Sequence, residues 1–497
     1  SLSKVSGMIN MSKLDLISLS KEVKVTDKLP YMNMYACGDC RAYFDQMFGI
    51  NMSIIGTVLL GGGKTLQIGG VKLPTIRMVV ERDLEFEAHK EIPFWTIKAK
   101  ALYENKKFDI DIFVKESDNN RFDTESKALR VQQEVENICQ GMIKAYQESN
   151  KKEEPPPPYS LTDLQSETNK RFKLTADQTL KIAQKLYADD KVQSYPRTDS
   201  NYYAEGEYNS VIDILARLAD IENFQSLIHS IKDITQPMKR KIFNDSKIDA
   251  HTALSPTLHI NNETYKKLEN TNKKVFDLVV ARYIIQFLDD YQYLNIKGHG
   301  IITDDIYFKF SENVTRDVGW KVALDFQPVT QTIPVMHNGD RVEILKNSVT
   351  LTKGTTKPKP RFTEATLLKA MEKVHRFFDE KKIKEQLGES GIGTPATRAM
   401  ILEQLKTVRQ NDEPYFTVDK KGSITSTTKA RNLIKILPDE VSSPLLRANM
   451  ESKLKEIYRG TLSKESYLFD VQDIVNQTSK TLLRIGTLPQ KTQVIPQ

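Results

Sequence analysis

The sequence around Tyr195 has the residue types of a nucleophile aimed at a phosphodiester. Tyr195 is followed by Pro196 and Arg197 in the octapeptide Gln-Ser-Tyr-Pro-Arg-Thr-Asp-Ser. A phenol is a weak nucleophile at its usual pKa of about 10, so a nearby cation would stabilise the phenolate and hold a phosphate oxygen. Because proline disfavours a helical conformation in the residue before it, we predict an extended segment with Tyr195 and Arg197 on one face. The alternative is an aromatic core residue before a proline turn, followed by a helix cap.

Two other segments carry groups suited to binding or positioning a phosphate. His251 lies in Asp-Ala-His-Thr-Ala-Leu-Ser-Pro-Thr, between a helical region and a Ser-Pro break where a loop can expose it. Thr394 precedes Pro395 and an amphipathic helix whose first turn holds Thr397 and Arg398. Free N–H groups, two hydroxyls and an arginine at a helix start make a phosphate cradle. The same residues also make an ordinary helix cap, and a lone histidine is usually structural, so both interpretations stay open.

Two further motifs do not support a nucleotide or metal site. Residues 61–65 resemble the end of a phosphate-binding loop, but the position that needs the first glycine of that loop is Val58. Cys37 and Cys40 form a C-x-x-C pair, whereas structural zinc needs four ligands and only Cys139 remains. We therefore predict that the pair is buried on a turn and that this chain holds no metal.

Composition allows several kinds of partner and excludes others. At 497 residues the chain exceeds what one hydrophobic core usually supports, so several domains are expected. The net charge of +7, from 72 basic and 65 acidic residues, permits a nucleic-acid partner without requiring one. Three cysteines argue against a disulfide framework, and no signal peptide or membrane span is visible. We expect a cytoplasmic protein without a membrane partner.

The elements that must position these residues follow from the hydrophobic patterns. Alternation over 95–114, with a polar turn at 104–107, predicts a β-hairpin. Residues 125–148 are predicted to be helical, and Lys151 begins a charged stretch that runs into four prolines, typical of a stiff linker. Apolar stripes with a period near 3.6 predict helices in 160–290 and 363–480, and alternation returns in 291–352. This order indicates a β domain interrupted by a helical domain, with a helical base at both ends.

Seven segments taken together resemble the type IA DNA topoisomerases, particularly the bacterial topoisomerase III branch. Their order matches that of the family, and they cover 41–53, 69–83, 161–187, 193–200, 249–257, 361–372 and 389–401. The resemblance implies a multidomain α+β fold, a toroid of helical domains joined by β arches around a hole that passes DNA. The division that it implies is an N-terminal segment (1–34), a helical base domain (35–90 and 358–497, DNA-binding), a β arch domain (91–154 and 291–357) and a helical domain with the tyrosine (155–290).

The resemblance also implies roles for individual residues. The family's nucleophile falls on Tyr195, its neighbouring arginine on Arg197 and its active-site histidine on His251, which would orient a phosphate or Asp199. The phenol would attack single-stranded DNA to give a 5′-phosphotyrosine and a free 3′-hydroxyl, without ATP. The residues expected to contact DNA are Arg41, Asn51, Lys72, Thr198, Lys359, Arg361, Thr394, Thr397 and Arg398.

Two departures from the family pattern keep a second function open. Family members begin with a Toprim domain whose acidic cluster holds Mg²⁺, and the residues before Tyr35 contain no such cluster. We expect Mg²⁺ to be held by a Toprim domain from a separate subunit or from upstream of Ser1. At the position where the family has a DNA-facing arginine, this sequence has Gly70, with Lys72 nearby. At the position where the family has a tryptophan, it has Gln46. The alternative is therefore a catalytically impaired toroid that binds single-stranded DNA. For either function we expect single-stranded DNA as the partner and association with the nucleoid.

Overall fold

The computed structural model describes residues 29–60, 66–115, 120–248, 251–378, 391–408 and 412–486. Most of the predicted N-terminal segment (1–34) and the glycine-rich motif at 61–65 lie outside these residues. The part of 1–34 that is described is the beginning of a long helix, which starts at Leu29.

The helices occur at both ends of the chain and in its middle. They are α1 Leu29–Leu60, α2 Lys72–Ala88, α3 Glu125–Ile138, α4 Leu161–Phe172, α5 Ala176–Ala188, α6 Val211–Ala219, α7 Glu222–His229, α8 Asn262–Lys267, α9 Asn270–Ile284, α10 Glu364–Glu372, α11 Val374–Phe378, α12 Pro395–Lys406, α13 Thr428–Ile436, α14 Asp439–Ser442, α15 Pro444–Arg459 and α16 Lys464–Gly486. None of these described helices has both the length and the apolar character needed to cross a bilayer.

Local sequence explains several of these helix starts. The hydroxyl of Thr175 accepts a hydrogen bond from the backbone N–H of Gln178, and the Gln178 side chain accepts from the N–H of Thr175. This reciprocal cap satisfies two N–H groups that the first turn leaves without partners.

The cysteine pair lies in a helix. Cys37 and Cys40 were predicted on a turn but lie inside α1, so that prediction is wrong; Cys40 is fully buried.

Seven strands from two distant parts of the chain form one sheet that closes on itself. They are β1 Pro93–Tyr103, β2 Lys106–Val114, β3 Gln140–Glu153, β4 Tyr291–Ile301, β5 Ile306–Asp317, β6 Arg341–Ile344 and β7 Thr350–Thr355. The order is β2-β5-β4-β3-β6-β1-β7, and β2 also pairs with β1. The predicted hairpin at 95–114 is confirmed, and its turn places Glu104 and Asn105 at φ 46° and 62°. Positive φ at both turn residues gives the twist that two-residue hairpins need. A small second sheet pairs β8 Phe416–Val418 with β9 Ile424–Ser426.

The prediction of a helix over 125–148 is wrong in its second half. Helix α3 ends at Ile138, and Cys139 adopts a left-handed conformation with φ 51° before β3 begins. Strand β3 then pairs with β4 as far as Glu153, so most of the predicted charged linker is sheet. The prolines that follow are held in place, since the carbonyls of Pro156 and Pro157 accept hydrogen bonds from Gln286 and Arg282.

Three hydrophobic cores lie within this architecture. The first joins α1 and α2 to helices after residue 360 and includes Phe44, Leu402 and Tyr467; we call this unit the base. The second lies mainly within 159–291 and includes Phe276; we call residues 155–290 the tyrosine unit. The third fills the closed sheet, here called the barrel, and includes Phe308. The chain leaves the barrel after β3, forms the tyrosine unit and returns at β4.

Candidate active site

Backbone pairing holds the segment that carries Tyr195, here called the tyrosine segment (residues 193–202). The N–H of Ser194 donates to the carbonyl of Ser255 at 2.9 Å, and the N–H of Ser255 donates to the hydroxyl of Ser194 at 3.0 Å. The N–H of Leu161, at the start of α4, donates to the carbonyl of Thr198 at 2.9 Å. The tyrosine segment is therefore fixed at its amino end by the loop that follows His251. It is not extended throughout, because the N–H of Thr198 donates to the carbonyl of Pro196 at 3.0 Å and closes a tight turn at Arg197.

This pairing brings His251 against Tyr195. Their ring centres are 4.6 Å apart with an interplanar angle of 51°, and the ring of Tyr187 from α5 packs edge-on against Tyr195 at 5.3 Å. Burial lowers the pKa of His251 from its ordinary value. Nδ1 of His251 is buried and has no hydrogen-bond partner among the described residues. Burial therefore disfavours the charged form of the imidazole beside the phenol.

Side chains alternate along the tyrosine segment. Pro196 and Thr198 are buried, whereas Tyr195 is half-buried and Arg197 and Asp199 are exposed. Tyr195 and Arg197 are thus both accessible, and only Arg197 lines the neighbouring cavity, so a shared face stays a prediction. Among the described side chains none forms an ion pair with Arg197, so its guanidinium is available to an anionic ligand.

A cavity of about 2190 Å³ lies between the tyrosine unit and the base. Arg197, Asp199 and His251 line it from the tyrosine unit. Among the described residues, ten lysines or arginines line the cavity against five aspartates or glutamates, an excess of five positive charges. Such a concentration of cationic groups in a cleft favours a polyanionic ligand.

Six of the nine residues expected to contact DNA line this cavity: Arg41, Lys72, Thr198, Thr394, Thr397 and Arg398. Arg41 forms an ion pair with Glu451 at 2.5 Å, and Nζ of Lys72 donates to Gln67 at 2.7 Å. The hydroxyl of Thr198 donates to the carbonyl of His251 at 3.3 Å.

The other three lie elsewhere. Asn51 donates to the carbonyl of Met47 within α1, and Lys359 pairs with Glu85 at 2.8 Å. Arg361 binds Asp83 and Glu87, both at 2.9 Å. Lys359 and Arg361 therefore belong to ion pairs between α2 and the segment before α10, away from the cavity lining.

Several cationic residues of the cavity were missed by sequence reasoning: Lys247, Lys373, Arg376, Arg447, Lys455 and Arg459. The sequence offered a signal for three of them. Arg447, Lys455 and Arg459 are separated by eight and four residues, which places them on one side of α15. Arg447 is buried and paired with Asp45 and Glu451. A Cβ atom at Gly70 would lie 3.6 Å from Cδ of Arg447, so this arginine fills space beside the position where the family's own arginine is absent.

The start of α12 forms part of the cavity wall. Thr394 caps the helix with Pro395 in its first turn, as both interpretations of this motif required. Gly393 has φ 73°, a conformation that residues with a Cβ rarely adopt. A Cβ at Gly391 would come within 2.2 Å of the carbonyl oxygen of Met371, so the turn packs directly on the end of α10.

The side chain of Arg398 is in a different position from the one expected of a DNA contact. It is only 2% exposed, and its Nη1 donates to Asp199 at 3.0 Å and to Thr162 at 3.3 Å. Its Nε donates to the carbonyl of Ile392 at 3.0 Å. In this conformation the guanidinium is engaged by protein groups, so a direct phosphate contact through Arg398 has no support from the geometry.

Glu372, at the end of α10, is a further cavity residue that sequence reasoning missed. Burial, together with the nearby carboxylates of Asp163 and Asp199, raises its pKa to about 7, although Arg398 acts in the opposite direction. A carboxyl group that is half protonated near neutral pH therefore lies beside the Arg398–Asp199 ion pair.

The described residues do not supply the donor set of a magnesium site. No group of three or more histidine, cysteine, aspartate or glutamate side chains is placed among them to hold a metal ion. Mg²⁺ binds oxygen ligands in near-octahedral geometry, usually including carboxylates. This part of the chain does not fit the ion, and no step of the chemistry is assigned to it here.

A family model described as DNA topoisomerase matches residues 30–468. The chain belongs to the type IA DNA topoisomerase family. It is 29% identical over 469 residues to DNA topoisomerase 3 of Bacillus subtilis, covering 91% of this chain and 61% of that protein. It is 28% identical over 488 residues to DNA topoisomerase 3 of Staphylococcus aureus, covering 95% of this chain and 64% of that protein. The chain thus spans less than two thirds of the length of these relatives.

The fold agrees with this membership. The full-length topoisomerase I of Thermotoga maritima superposes with a TM-score of 0.67 and 21% sequence identity, covering 90% of this chain and 68% of that one. The predicted fold class, the α+β toroid of type IA topoisomerases, is therefore confirmed. The roles of individual residues stay predictions.

Proposed function

We propose that this chain is the core of a type IA topoisomerase that cleaves and rejoins single-stranded DNA through Tyr195. The observation that carries the proposal is the position of Tyr195, whose ring packs against His251 beside a cavity with an excess of positive charge. Phosphate neutralisation by lysine and arginine dominates the affinity of proteins for nucleic acids. The single strand would lie in this cavity with one phosphate against the tyrosine segment.

The chemistry is a reversible transesterification. The phenol oxygen of Tyr195 forms a bond to phosphorus while the bond from phosphorus to the 3′-oxygen breaks. The phenol loses its proton to a base, and a proton reaches the departing 3′-oxygen, so charge balances over the step. Arg197 would stabilise negative charge that develops on the phosphate. Religation runs the same step backwards, and because the phosphotyrosine preserves the ester, no ATP is consumed.

We further propose that the complete reaction needs a Toprim domain supplied from outside this sequence, with Mg²⁺ held there. The described residues lack a metal donor set, and the chain spans 61% of its Bacillus relative. Religation requires the 3′-hydroxyl to stay within about 3–3.5 Å of phosphorus, and a misplacement of about 1 Å can lower the rate 100-fold. The Toprim domain would hold this leaving group.

The test is relaxation of supercoiled DNA by the 497-residue chain with and without an added Toprim polypeptide and Mg²⁺. We expect no useful relaxation by the chain alone, restoration by the mixture, and loss again in the mixture with Tyr195→Phe. Strong Mg²⁺-dependent relaxation by the pure chain would contradict the need for a Toprim domain from outside this sequence while leaving Tyr195 as the proposed nucleophile.

The alternative function is a binding protein that keeps the cavity without the chemistry. Gly70 favours it, because a DNA-facing arginine of the family is absent there. The two functions are separated by trapping a denaturation-resistant adduct on a labelled single strand. Binding without any adduct, even with the Toprim polypeptide and Mg²⁺ present, would favour the binding protein.

A further inference from the structure

One buried arginine of the base reaches the tyrosine segment of the neighbouring unit. Arg398 lies in α12, and its carboxylate partner Asp199 stands four residues after Tyr195. The same guanidinium donates to Thr162, in the first turn of α4, and to the carbonyl of Ile392, in the turn before α12. A single side chain thus connects the capped start of α12, the start of α4 and the tyrosine segment.

The exposure of the two partners differs sharply. The Arg398 side chain is 2% exposed, whereas that of Asp199 is 52% exposed. A buried arginine with three acceptors has little conformational freedom, and hydrogen bonds to charged groups are stronger than those between neutral groups. The half-exposed carboxylate is therefore ordered by the buried guanidinium and not the reverse.

We propose that Arg398 is a positioning residue that fixes the tyrosine segment against the base through Asp199, and does not itself bind DNA. This rests on the proposed function of Tyr195. Fixing Asp199 orders the carboxyl end of the segment, where the N–H of Ser200 donates to Thr198 and the N–H of Tyr202 donates to Ser200. The amino end is already held by the pairing of Ser194 with Ser255.

Other contacts between the described residues of the two units act on helices. The hydroxyl of Ser166 donates to the carbonyl of Ala365 at 3.2 Å, and the N–H of Ala176 donates to Glu364 at 2.6 Å. Lys369 lies 3.5 Å from Asp163. These contacts dock α4 and α5 on α10, so their presence does not replace the link from Arg398 to the tyrosine segment.

The matched control is another buried arginine with the same kind of partners. Arg240 pairs with Asp290 at 2.7 Å and donates to the carbonyls of Gln286 and Leu288, inside the tyrosine unit. Arg240→Met removes a comparable network without touching the junction. A general loss of packing would affect both arginine variants alike, whereas a positioning role is specific to Arg398.

The experiment is amide hydrogen exchange of peptides covering residues 194–202 in the full chain, which needs no activity. We expect Arg398→Met and Asp199→Asn each to speed exchange in this segment about tenfold, with no further effect when the two are combined. Arg398→Lys, which keeps the charge, should restore part of the protection, and Arg240→Met should leave it unchanged. If Arg398→Met does not fold, Asp199→Asn decides, because its side chain is largely at the surface.

A second measurement keeps this inference separable from the function of Tyr195. In conditions where the wild-type chain forms a DNA adduct, Arg398→Met should lower adduct yield at least about tenfold with the dissociation constant for single-stranded DNA changed less than about twofold. Absence of an adduct in the wild type would count against the proposed function alone. Unchanged exchange at 194–202 in both Arg398→Met and Asp199→Asn would overturn the positioning role.

Discussion

The imidazole ring of His251 lies against the phenol ring of Tyr195, with ring centres 4.6 Å apart. The two residues are 56 positions apart in the sequence, and the pairing of Ser194 with Ser255 places them together. The contact places an imidazole beside the proposed nucleophile, in a site where burial disfavours its charged form.

We expect Tyr195→Phe to abolish the covalent DNA adduct while leaving single-strand affinity within about twofold. The ring provides the packing against His251 and Tyr187, and only the attacking oxygen is lost. The measurement is the yield of protein–DNA adduct after denaturation. Tyr202→Phe is the control, since Tyr202 is a nearby tyrosine that lines the cavity. Tyr203 is an unsuitable nucleophile, because it is 1% exposed and its hydroxyl donates to Leu254. An adduct that survives in Tyr195→Phe would assign the nucleophile elsewhere.

The depressed pKa of His251 predicts a loss of stability on the acid side. The unfolded chain takes up the proton near pH 6.5, before the folded chain does, so the free energy of unfolding falls as pH drops from about 6.5 through the lower folded-state pKa. His251→Gln should reduce this loss. Chemical denaturation at pH 7.5 and 5.5 measures the effect, and an identical difference between variant and wild type at both pH values would contradict it.

The raised pKa of Glu372 predicts a loss of stability as pH rises, in the direction opposite to that of His251. Its pKa is raised from 4.5 to about 7, so its contribution to stability is complete below about pH 4.5 and is lost as pH rises through 7. Glu372→Gln, which keeps the shape without the charge, should stabilise the protein by about 1–3 kcal/mol at pH 8. The gain should be smaller at pH 5. Thermal unfolding across this range tests the sign, and a greater gain at pH 5 than at pH 8 would refute it.

The ion pairs of Arg361 and Lys359 predict that Arg361 stabilises the fold and that Lys359 contributes little to the free energy of unfolding. Asp83 is 1% exposed and accepts hydrogen bonds from Arg361 and Ser426. Arg361→Ala should lower the free energy of unfolding by about 2–4 kcal/mol, because a buried carboxylate loses a partner. Lys359→Ala, at a side chain 68% exposed, should change it by less than about 1 kcal/mol. A large loss of DNA affinity in folded Arg361→Ala protein would restore the original expectation of a DNA contact.

The cavity predicts salt-dependent preference for single-stranded over duplex DNA. Replacing Lys247, Arg376 and Arg459 together by alanine should weaken binding and reduce the slope of log affinity against log salt by up to about 2. The matched control replaces three exposed lysines outside the cavity, Lys106, Lys107 and Lys144. Fluorescence anisotropy at several salt concentrations measures both. Equal weakening in the two triple variants would argue against the cavity as the binding surface.

Much of the fold was predictable where local sequence decides the structure. Pro196 alone restricts Tyr195 to an extended conformation, and the turn at Glu104 and Asn105 follows from the alternation on either side. Strand β3 was not predictable in this way, because Gln140–Glu153 is rich in residues that favour helices. Its conformation depends on pairing with β4, about 140 residues later in the chain.

The candidate site, too, was predictable only where a short stretch of sequence decides the structure. Tyr195, Arg197 and His251 were identified from short motifs; Arg197 and His251 line the cavity, and the ring of Tyr195 packs against that of His251. The contact of Arg398 with Asp199 joins residues 199 positions apart, and the pairing of Arg361 depends on Asp83, 278 positions away. Charge and position in a motif indicate that an arginine matters, but only the folded chain decides which anion it meets.

The pairing of Glu153 with Tyr291, at the last register position of β3 and β4, has a consequence for how the molecule is assembled. The chain leaves and re-enters the barrel at two facing residues, whose Cα atoms in such a ladder lie about 5 Å apart. The intervening tyrosine unit is thus an insertion between two neighbouring strands of the barrel. A short turn joining those two residues would excise the tyrosine unit and leave β3 and β4 as an uninterrupted hairpin, so the barrel strands can pair without the chain between them.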